Sequence, residues 1–582
     1  ACRLKLQHIG RAVPALGQPR HPGGNFLPFG AEFMPLGPAA QRHVEHEHRT
    51  QNKDDEVEHS GFPRSLFFGP PEPALTRAAS IVPYFAQNFA PKVPSDVQKF
   101  RPEILSEKIE KNAALKGMTP QAFVDDIVKG IKDLWKALEI TNDDFIRTTE
   151  ERHWMVVQKI FSRLLEQGDI YLGKYEGWYC TPCESYWTDT QVGENHICPD
   201  CGREVHKASE EAYFFKVSKY ADRLVKFYED HPDFIYPESR KNEMLNTFIK
   251  PGLEDLCISR TSFTWGVPIK ENPRHIIYVW IDALVNYISA LGYLSDDASK
   301  FETFWGEDSE IVHVIGNDIT RFHTIYWPIL LMALGLRLPD KVFVHGLLMM
   351  KDGKMSKSRG NVVNPYPLIE KYGVDAVRYY LVRETIFGQD GTFSPEQFAE
   401  RINTDLANSY GNLLSRTISM ISKYFDGVIP AYKGNVTEFD HFILEQANDT
   451  VIRYEKAFDT LKITDAFIAV MDLVNRANKY IDETMPWALA KDESKKEELA
   501  SVMSHLANVL YVSSILLQPV LIHSAPKALE ALGVSEELKD YKNIKEFGKL
   551  GNTSVTKIDP LFPRLDVAKE AEYIKGLMQN NK

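Results

Sequence analysis

Cysteine is scarce in this chain: 582 residues contain six of them, which excludes a disulfide-dense secreted scaffold. Runs of roughly 18 uncharged, apolar residues are also lacking, so we expect no membrane-spanning segment. Excess positive charge is missing too, because 68 Lys and Arg against 80 Asp and Glu leave a net charge of −12. A wholly basic nucleic-acid-binding protein is therefore excluded, although a local basic groove is not. At about 150 residues per domain, the length predicts several domains.

The first 106 residues lack the patterns of a folded domain. No acidic residue occurs in residues 1–31, and 13 of the 33 prolines fall in the first 100 residues. Because proline removes a backbone donor and glycine adds backbone entropy, we expect neither helices nor central strands here. His43, His46 and His48 are candidates for a metal site, but without fixed spacing on one element an unstructured tract is the favoured interpretation. A transit peptide is the weaker alternative, because serine is sparse and no amphipathic pattern is present.

From about residue 108 the sequence has the periodicity of a folded protein. Thr119-Pro120 supplies the cap and first-turn residues of a helix. Apolar residues then follow at spacings of three and four over residues 123–138, which predicts an amphipathic helix.

Strand patterns occur only in the middle of the chain. β-Branched runs at residues 276–281, 311–315 and 342–344 alternate with helical stretches. This alternation indicates a parallel α/β sheet. After about Glu400 the patterns are helical up to about Leu532, so we expect a separate helix bundle.

Four of the six cysteines form two Cys-x-x-Cys pairs, Cys180/Cys183 and Cys198/Cys201, with 14 residues between the pairs. Each pair lets two thiolates reach one ion from a tight turn, so the pattern predicts a closed, structural zinc knuckle with four cysteine ligands. Two disulfides or a redox pair are the alternatives. A redox motif does not need a second matched pair, which favours zinc and a reducing compartment.

The strongest motif is the pentapeptide at residues 354–358, which contains Lys354, Lys357 and Ser358. Gly353 precedes it and Gly360 follows it. Two lysines among small hydroxyl residues and glycines predict a mobile cationic loop that closes on a polyphosphate as a leaving pyrophosphate gains charge. A lysine-rich surface turn is the alternative. The pentapeptide resembles the KMSKS signature of class I aminoacyl-tRNA synthetases, and its place between an α/β region and a helix bundle favours that interpretation.

Over about residues 108–582 the chain resembles the methionyl-tRNA synthetase family. Besides the pentapeptide, the resemblance is carried by residues 144–154 (DFIRTTEERHW), 176–180 (EGWYC), 238–244 (ESRKNEM), 278–283 (YVWIDA) and 478–487 (NKYIDETMPW). Valyl, isoleucyl and leucyl enzymes share the class I signatures. They are usually longer, however, and they lack the compact zinc knuckle ahead of residues 278–283.

The resemblance implies an α/β class I fold. It consists of a Rossmann-like parallel sheet, an inserted connective domain with the zinc knuckle, and an all-α anticodon-binding bundle. We expect the remnant of the first nucleotide-fold half at 107–142, the connective domain at 143–267 with the knuckle at 178–203, the second half at 268–345, the signature loop and stem-contact region at 346–400, the bundle at 401–551 and a C-terminal peptide at 552–582.

A methionine pocket is implied by matching the family's motifs to this sequence. Its residues would be Trp280, Ala283, Tyr287, Ile319 and His323. A hydrophobic slot with aromatic faces and one or two polar groups suits an unbranched thioether side chain. Simple core aromatics are the alternative for Trp280 and Tyr287, since their spacing places them on one helix face either way.

ATP contacts are implied at Gly316, Asp318, Lys354 and Lys357, with Mg²⁺ accompanying the nucleotide. Asp318 would hold the adenosine ribose at the end of a strand, where α/β sheets bind ligands. A helix N-cap is the alternative role for Asp318. The turn often reads Gly-Lys-Asp in the family, so Asn317 removes one positive charge beside the nucleotide.

Anticodon contacts are implied at Asn412, Arg416 and Trp487. Asn412 and Arg416 are four residues apart and share a helix face, and Trp487 follows a proline. Unpaired loop bases are read by stacking and by hydrogen bonds to their edges, for which these side chains are suited. A solvated helix face is the alternative for the pair.

A second class I signature, His-Ile-Gly-His, whose histidines contact the ATP phosphates, is absent from its expected place upstream of Lys108. The nearest string, His8-Ile9-Gly10-Arg11, ends in arginine and lies about 100 residues upstream, so chance is the favoured explanation. Residues 1–106 therefore do not resemble the first half of the catalytic fold. A divergent front, a chimera or a reading-frame error would explain this, and the change in composition favours the last two.

The function that the resemblance implies is ATP-dependent ligation of methionine to tRNA(Met), through methionyl-adenylate. Its partners would be L-methionine, ATP and tRNA(Met), with structural Zn²⁺ and with Mg²⁺ bound to ATP, in the cytoplasm and without a membrane. We expect a monomer, since the chain reaches Lys582 without a dimerising C-terminal tRNA-binding domain. Two alternatives stand: an inactive tRNA-binding protein of synthetase ancestry, because the half with the histidine signature is missing, and a class I synthetase for another aliphatic amino acid.

Overall fold

The computed structural model describes residues 107–579, apart from residues 181–184, 188–191, 193–195, 199–201, 352, 355–361 and 387. All of them lie within one packed unit of the chain, Pro71–Lys582. The predictions about residues 1–106 fall outside the described residues, and so do the string His8–Arg11 and the three histidines near residue 45. Cys183, Cys201 and Lys357 are also outside them.

Helices and strands alternate in the first two thirds of the described chain. The helices are α1 (Glu107–Leu115), α2 (Pro120–Ala137), α3 (Glu151–Glu166), α4 (Ala221–Asp230), α5 (Glu238–Met244), α6 (Val279–Ser289), α7 (Ser299–Phe304), α8 (Trp327–Leu334), α9 (Pro365–Tyr372), α10 (Val374–Glu384), α11 (Pro395–Arg401), α12 (Asn412–Tyr424), α13 (Asp440–Asp459), α14 (Ile463–Thr484), α15 (Pro486–Leu489), α16 (Lys496–Leu517), α17 (Ser524–Ala531) and α18 (Val567–Gln579). The strands are β1 (Ile170–Cys180), β2 (Ser185–Trp187), β3 (His206–Phe215), β4 (Ile235–Tyr236), β5 (Leu256–Cys257), β6 (Ser259–Arg260), β7 (Pro268–Ile269), β8 (Asn272–Ile277), β9 (Val312–Gly316), β10 (Lys341–His345), β11 (Leu348–Met350), β12 (Gly353–Lys354) and β13 (Gly391–Phe393).

Helix α2 begins as its sequence predicts. The Thr119 hydroxyl oxygen accepts a hydrogen bond from the Ala122 amide at 3.2 Å, and Pro120 occupies the first turn. The cap satisfies one of the amides that a helix start leaves unpaired. Phe123 and Leu134 are buried, which confirms the amphipathic stripe.

A long hairpin carries the cysteines. Strands β1 and β3 pair antiparallel along ten residues of each strand, from Ile170↔Phe215 to Tyr179↔His206. Strand β2 extends the same sheet on the other side of β1 through Trp178↔Trp187. Cys180 thus lies at the end of β1, where it pairs with Ser185 of β2.

The central sheet is parallel, in the order β4-β10-β9. The side chains of Val342, Phe343 and Val344 are buried, as expected where both faces of a parallel sheet are covered. His345 pairs with Gly316 in the register of β10 and β9. The carboxyl ends of these two strands therefore lie side by side, at the edge where α/β sheets bind ligands.

The strand predicted at residues 276–281 is correct only in its first part. Strand β8 ends at Ile277, and α6 begins at Val279 after Tyr278, whose φ of −93° and ψ of 139° are extended. The apolar run continues without interruption across this boundary, so neither periodicity nor a breaker residue marks it. This boundary matters because the residues from Val279 onwards lie on a helix, where side chains three, four and seven positions apart share a face.

The C-terminal part is a helix bundle, as predicted. Beyond Phe393, the end of β13, the described residues form no further strand. Helices α12, α13, α14 and α17 pack around α16. Residues Glu493–Leu517 are long and apolar enough for a membrane span by length and composition, which corrects the expectation that no such segment exists. Of the 18-residue apolar stretch within them, 94% is buried. A helix that is apolar on all sides is explained here by burial in the bundle.

Two charged residues of α10 join the bundle to the rest of the chain. The buried Arg378 guanidinium donates to the carbonyls of Leu138 at 2.8 Å and Pro519 at 2.7 Å. The Asp375 carboxylate accepts from the Ser524 amide at 2.6 Å, at the start of α17. Burial lowers the pKa of Arg378 to about 10, so the group stays charged at neutral pH.

Candidate active site

One face of α6 carries three of the residues predicted for the methionine pocket. Trp280, Ala283 and Tyr287 are spaced i, i+3 and i+7, which places them on the same side of the helix. The Trp280 ring lies nearly parallel to Phe322, with 8° between the ring planes. Phe322 begins a π-helical segment, Phe322–Tyr326, a form of helix that is common at functional sites.

Tyr287 and His323 are joined by a hydrogen bond. The hydroxyl oxygen of Tyr287 lies 2.8 Å from Nε2 of His323, and Nδ1 of His323 lies 3.0 Å from the carbonyl of Ile319. Because a carbonyl only accepts, Nδ1 carries the proton and Nε2 accepts from the Tyr287 hydroxyl. Burial lowers the pKa of His323 to about 4, so the ring is neutral at physiological pH. The five predicted pocket residues therefore lie on two neighbouring segments, and Tyr287, Ile319 and His323 form one chain of contacts.

A second layer of aromatic residues lies behind Tyr287, and the sequence analysis missed it. The His313 ring is 4.1 Å from the Tyr287 ring, centroid to centroid. The Trp327 indole donates to Nε2 of His313 at 3.0 Å, and Trp305 packs against both rings. Burial lowers the pKa of His313 to about 3. A histidine inside the β-branched strand β9 was the signal available in the sequence.

The carboxyl ends of β9 and β10 form a polar edge beside this pocket. Gly316 ends β9, and the residues Asn317–Ile319 form a short 3₁₀ turn after it. A Cβ atom at Gly316 would lie 2.9 Å from Oδ1 of Asp318, so glycine allows the carboxylate to approach the strand end. Asp318 is the second residue of the turn and Gly316 is its cap, which shows that the N-cap alternative for Asp318 is wrong.

His345 is a further polar residue at this edge that the sequence analysis did not identify. It lies beside Gly316 in the sheet register, and its ring is 3.8 Å from the position of a Cβ atom at Gly316. Its Nδ1 is 2.8 Å from the Gly346 carbonyl, which fixes the proton on Nδ1. Burial lowers its pKa. The histidine therefore presents a neutral ring to the edge where Asp318 lies.

The signature loop starts next to the same edge. Strands β11 and β12 pair antiparallel through Met350↔Gly353 and Met349↔Lys354. The backbone of Lys354 is thereby held in a hairpin that follows β10 directly, while Lys357 lies outside the described residues. The described chain resumes at Val362 beyond the loop, and helix α9 starts at Pro365.

Cys180 and Cys198 lie in one small buried cluster together with Val192 and Val205. A tight turn follows Cys198: its carbonyl accepts from the Gly202 amide at 2.9 Å, and Gly202 has a φ of +70°. Glycine adopts this left-handed conformation without strain. Within the described ranges no group of three or more His, Cys, Asp and Glu residues could hold a metal ion, and the other two predicted ligands are outside those ranges.

The predicted anticodon residues lie on the bundle surface. Asn412 is exposed at the start of α12, and Nη2 of Arg416 lies 3.4 Å from Oδ1 of Asp482, near the end of α14. Trp487 lies on α15, five residues beyond Asp482, and 44% of its side chain is exposed. Helices α12 and α14 are in contact, so the ion pair brings the helix of Asn412 close to the segment that carries Trp487.

Two family models match this chain. The model described as tRNA synthetases class I (M) matches residues 106–210 and 203–418. The model described as the anticodon binding domain of methionyl tRNA ligase matches residues 429–575. Together they span most of the chain from residue 106 onwards.

Similar proteins and structures agree with these matches. The methionine–tRNA ligase of Halalkalibacterium halodurans is 57% identical over 487 residues, which cover 82% of this chain and 73% of that protein. The methionine–tRNA ligase of Bacillus subtilis is 56% identical over 486 residues, with the same two coverages. The structure of Mycobacterium tuberculosis methionyl-tRNA synthetase in complex with methionyl-adenylate has a TM-score of 0.74 and 35% identity, covering 84% of this chain and 95% of that one.

Proposed function

This chain belongs to the methionyl-tRNA synthetase family of class I aminoacyl-tRNA synthetases, and from that premise we propose how its residues carry out the reaction. It is a methionine–tRNA ligase, which activates methionine with ATP and transfers the aminoacyl group to tRNA. The methionine carboxylate attacks the α-phosphate of ATP in line, and pyrophosphate leaves. The protein's contribution is to position the reactants and to stabilise developing charge.

The methionine side chain binds between Trp280 and the Tyr287–His323 pair, with Ala283 and Ile319 completing the pocket. Trp280 offers an aromatic face to the thioether sulfur. The Tyr287 hydroxyl donates to Nε2 of His323 at 2.8 Å. One extra or missing methylene is worth about 1–3 kcal/mol in a hydrophobic pocket, so the shape of this pocket selects methionine.

ATP binds at the carboxyl ends of β9 and β10. Gly316 leaves room for the nucleotide, and Asp318 accepts hydrogen bonds from the ribose hydroxyls. Lys354 and Lys357 reach the triphosphate and stabilise the charge on the leaving pyrophosphate. Mg²⁺ enters with ATP and neutralises charge on its phosphates.

The anticodon of tRNA(Met) binds on the bundle surface. Trp487 stacks on an unpaired base, and Asn412 and Arg416 form hydrogen bonds with base edges. In the free protein the Arg416 guanidinium pairs with Asp482, five residues before Trp487 in the sequence, and this contact would orient it before the tRNA arrives.

A structural Zn²⁺ is bound by Cys180, Cys183, Cys198 and Cys201. Two of these thiols are buried in one cluster, and a glycine turn follows Cys198 as in a metal knuckle; this chemistry fits Zn²⁺. Cys183 and Cys201 are assigned by the sequence pattern. When bound, the ion would link Cys180 at the end of β1 to Cys198, and thiolate ligands are compatible with a reducing, cytoplasmic compartment.

The observation that carries this proposal is the hydrogen-bonded Tyr287–His323 pair beside Trp280, next to the strand ends that bind ATP. The test is methionine-dependent ATP–pyrophosphate exchange by the full chain, followed by aminoacylation of tRNA(Met). We expect both reactions with L-methionine. Binding of tRNA(Met) without methionine-dependent exchange would instead support an inactive tRNA-binding protein, and exchange driven by another aliphatic amino acid would support a different specificity.

A further inference from the structure

A buried histidine and a buried aspartate connect α3 to α6, on the side of α6 away from the methionine pocket. Nε2 of His153 lies 3.0 Å from Oδ1 of Asp282, and Nδ1 lies 2.7 Å from the hydroxyl of Ser289. The side chain of His153 is 0% exposed and that of Asp282 is 3% exposed. Nothing in the proposed reaction uses these three groups.

The two faces of α6 have different partners. At about 100° per residue, Trp280, Ala283 and Tyr287 point to one side of the helix, whereas Asp282 and Ser289 point to the opposite side. His153 therefore holds α6 at two points that are seven residues, or about two turns, apart. Two attachment points on one face restrict both the rotation of α6 about its axis and its sliding along α3.

A buried ionisable pair is weak evidence for stability alone, because two apolar side chains can fill the same space at similar or lower free energy. Its advantage over apolar contacts is direction, since a hydrogen bond is satisfied in one orientation only. Burial raises the pKa of Asp282, while the contact with His153 lowers it. Loss of His153 would therefore leave a buried carboxyl without the hydrogen-bond partner that offsets its burial.

We propose that His153 is a positioning residue for methionine binding: through Asp282 and Ser289 it fixes the rotation of α6 and so the places of Trp280 and Tyr287. The inference rests on the proposed methionine pocket. It assigns to the segment Glu151-Arg152-His153-Trp154, which precedes the connective hairpin in sequence, a role in amino-acid binding. ATP binding should not depend on this contact, because Gly316 and Asp318 lie on β9 and the turn after it.

The test measures binding of L-methionine to the full chain by titration calorimetry, with an ATP analogue as the second ligand. We expect His153→Leu to weaken methionine binding about tenfold or more and to leave binding of the ATP analogue within about twofold. His153→Gln should retain most of the affinity, because its amide can still donate to Asp282. The double variant His153→Leu/Asp282→Leu, which removes the lone buried charge, should recover the melting temperature but not the affinity for methionine.

Gln158→Met is the matched control, because Gln158 is a buried polar residue of the same helix that donates to the Pro268 carbonyl at 2.7 Å rather than to α6. It should bind methionine as the wild type does. If the double variant bound methionine like the wild type, or if His153→Leu lost both ligands equally, the positioning role would be overturned. Absence of methionine binding by the wild type would instead count against the proposed function.

Discussion

The hydroxyl of Tyr287 donates a hydrogen bond to Nε2 of His323 at 2.8 Å, and the direction of this bond is set by the Ile319 carbonyl on the other side of the ring. The hydroxyl proton of Tyr287 is thereby used in this bond. A neutral imidazole and a neutral phenol therefore border the proposed methionine pocket. This polarity suits a thioether and disfavours a charged side chain.

Removing this bond should weaken methionine binding selectively. Tyr287→Phe leaves Nε2 of the buried His323 without its donor, at a cost of about 1–2 kcal/mol. We expect the KM for methionine to rise about tenfold, with little change in the KM for ATP. Pyrophosphate exchange at varied concentrations of each substrate measures both constants. An equal rise in the two constants would show that Tyr287 does not act in the methionine pocket.

The buried histidines predict how stability depends on pH. Burial lowers the pKa of His313 to about 3 and that of His323 to about 4, whereas an unfolded histidine titrates near 6.5. Between about pH 6.5 and 4 the unfolded chain therefore binds protons that the folded chain does not, and stability falls as the pH is lowered through this window. The melting temperature of His313→Gln, measured from pH 7.5 to 4.5, should fall less steeply than that of the wild type. The exposed His231→Gln is the control, and an unchanged slope for His313→Gln would contradict the assignment.

Zinc content should depend on the clustered cysteines. We expect one Zn²⁺ per chain in the wild type and little or none in Cys180→Ser or Cys198→Ser, because removing one thiolate leaves an incomplete tetrahedral site. Inductively coupled plasma mass spectrometry on dialysed protein measures this directly. Cys257→Ser, which removes a thiol that contacts Arg260 in the body of the protein, should keep its zinc. Full zinc content in all three variants would refute the knuckle.

The two lysines of the signature loop should act on the rate rather than on methionine binding. Lys354→Ala or Lys357→Ala should slow pyrophosphate exchange about a hundredfold or more, since each removes a positive charge that would stabilise the leaving pyrophosphate in the transition state. Calorimetric binding of methionine should not change. Lys351→Ala, in the exposed turn between β11 and β12, is the control and should keep the exchange rate. Weaker methionine binding in either loop variant would argue for a structural effect.

Trp487 should affect the tRNA step alone. Stacking of a base on an aromatic side chain is worth about 1–3 kcal/mol, so Trp487→Ala should raise the KM for tRNA(Met) about tenfold or more and leave pyrophosphate exchange intact. Phe442 is a matched control, because this aromatic side chain on the same bundle is exposed to a similar degree, 48% against 44%. Phe442→Ala should aminoacylate normally. A comparable loss in both variants would indicate a general surface effect.

Local features were predictable from the sequence where a single segment contains the whole signal. The cap at Thr119-Pro120, the strands at residues 311–315 and 342–344 and the helical bundle follow from short-range periodicity and turn chemistry. The end of β8 was not predictable, because the apolar run continues through Tyr278 into α6, and Ile277 before the boundary and Ile281 after it are both buried. Periodicity cannot separate two buried elements that share one apolar run.

The parts of the site that escaped prediction depend on contacts between distant residues. His313 and Trp327 meet through tertiary packing, and His153 contacts Asp282 across 129 positions of sequence. A histidine in an apolar segment gives no sign of its partner until the fold is known. The family resemblance named the pocket residues on α6 and after β9, but it did not supply the residues behind them.

The Arg378 guanidinium limits how far the helix bundle can move relative to the rest of the chain. It joins the carbonyl that ends α2 to the one that follows α16, and each of these buried acceptors would lose its partner if the bundle swung away. The bundle is thus attached to the end of α2 by hydrogen bonds from one buried side chain. On the proposed anticodon role of Trp487, a bundle attached in this way would set the distance from the anticodon site to the strand ends before a tRNA binds.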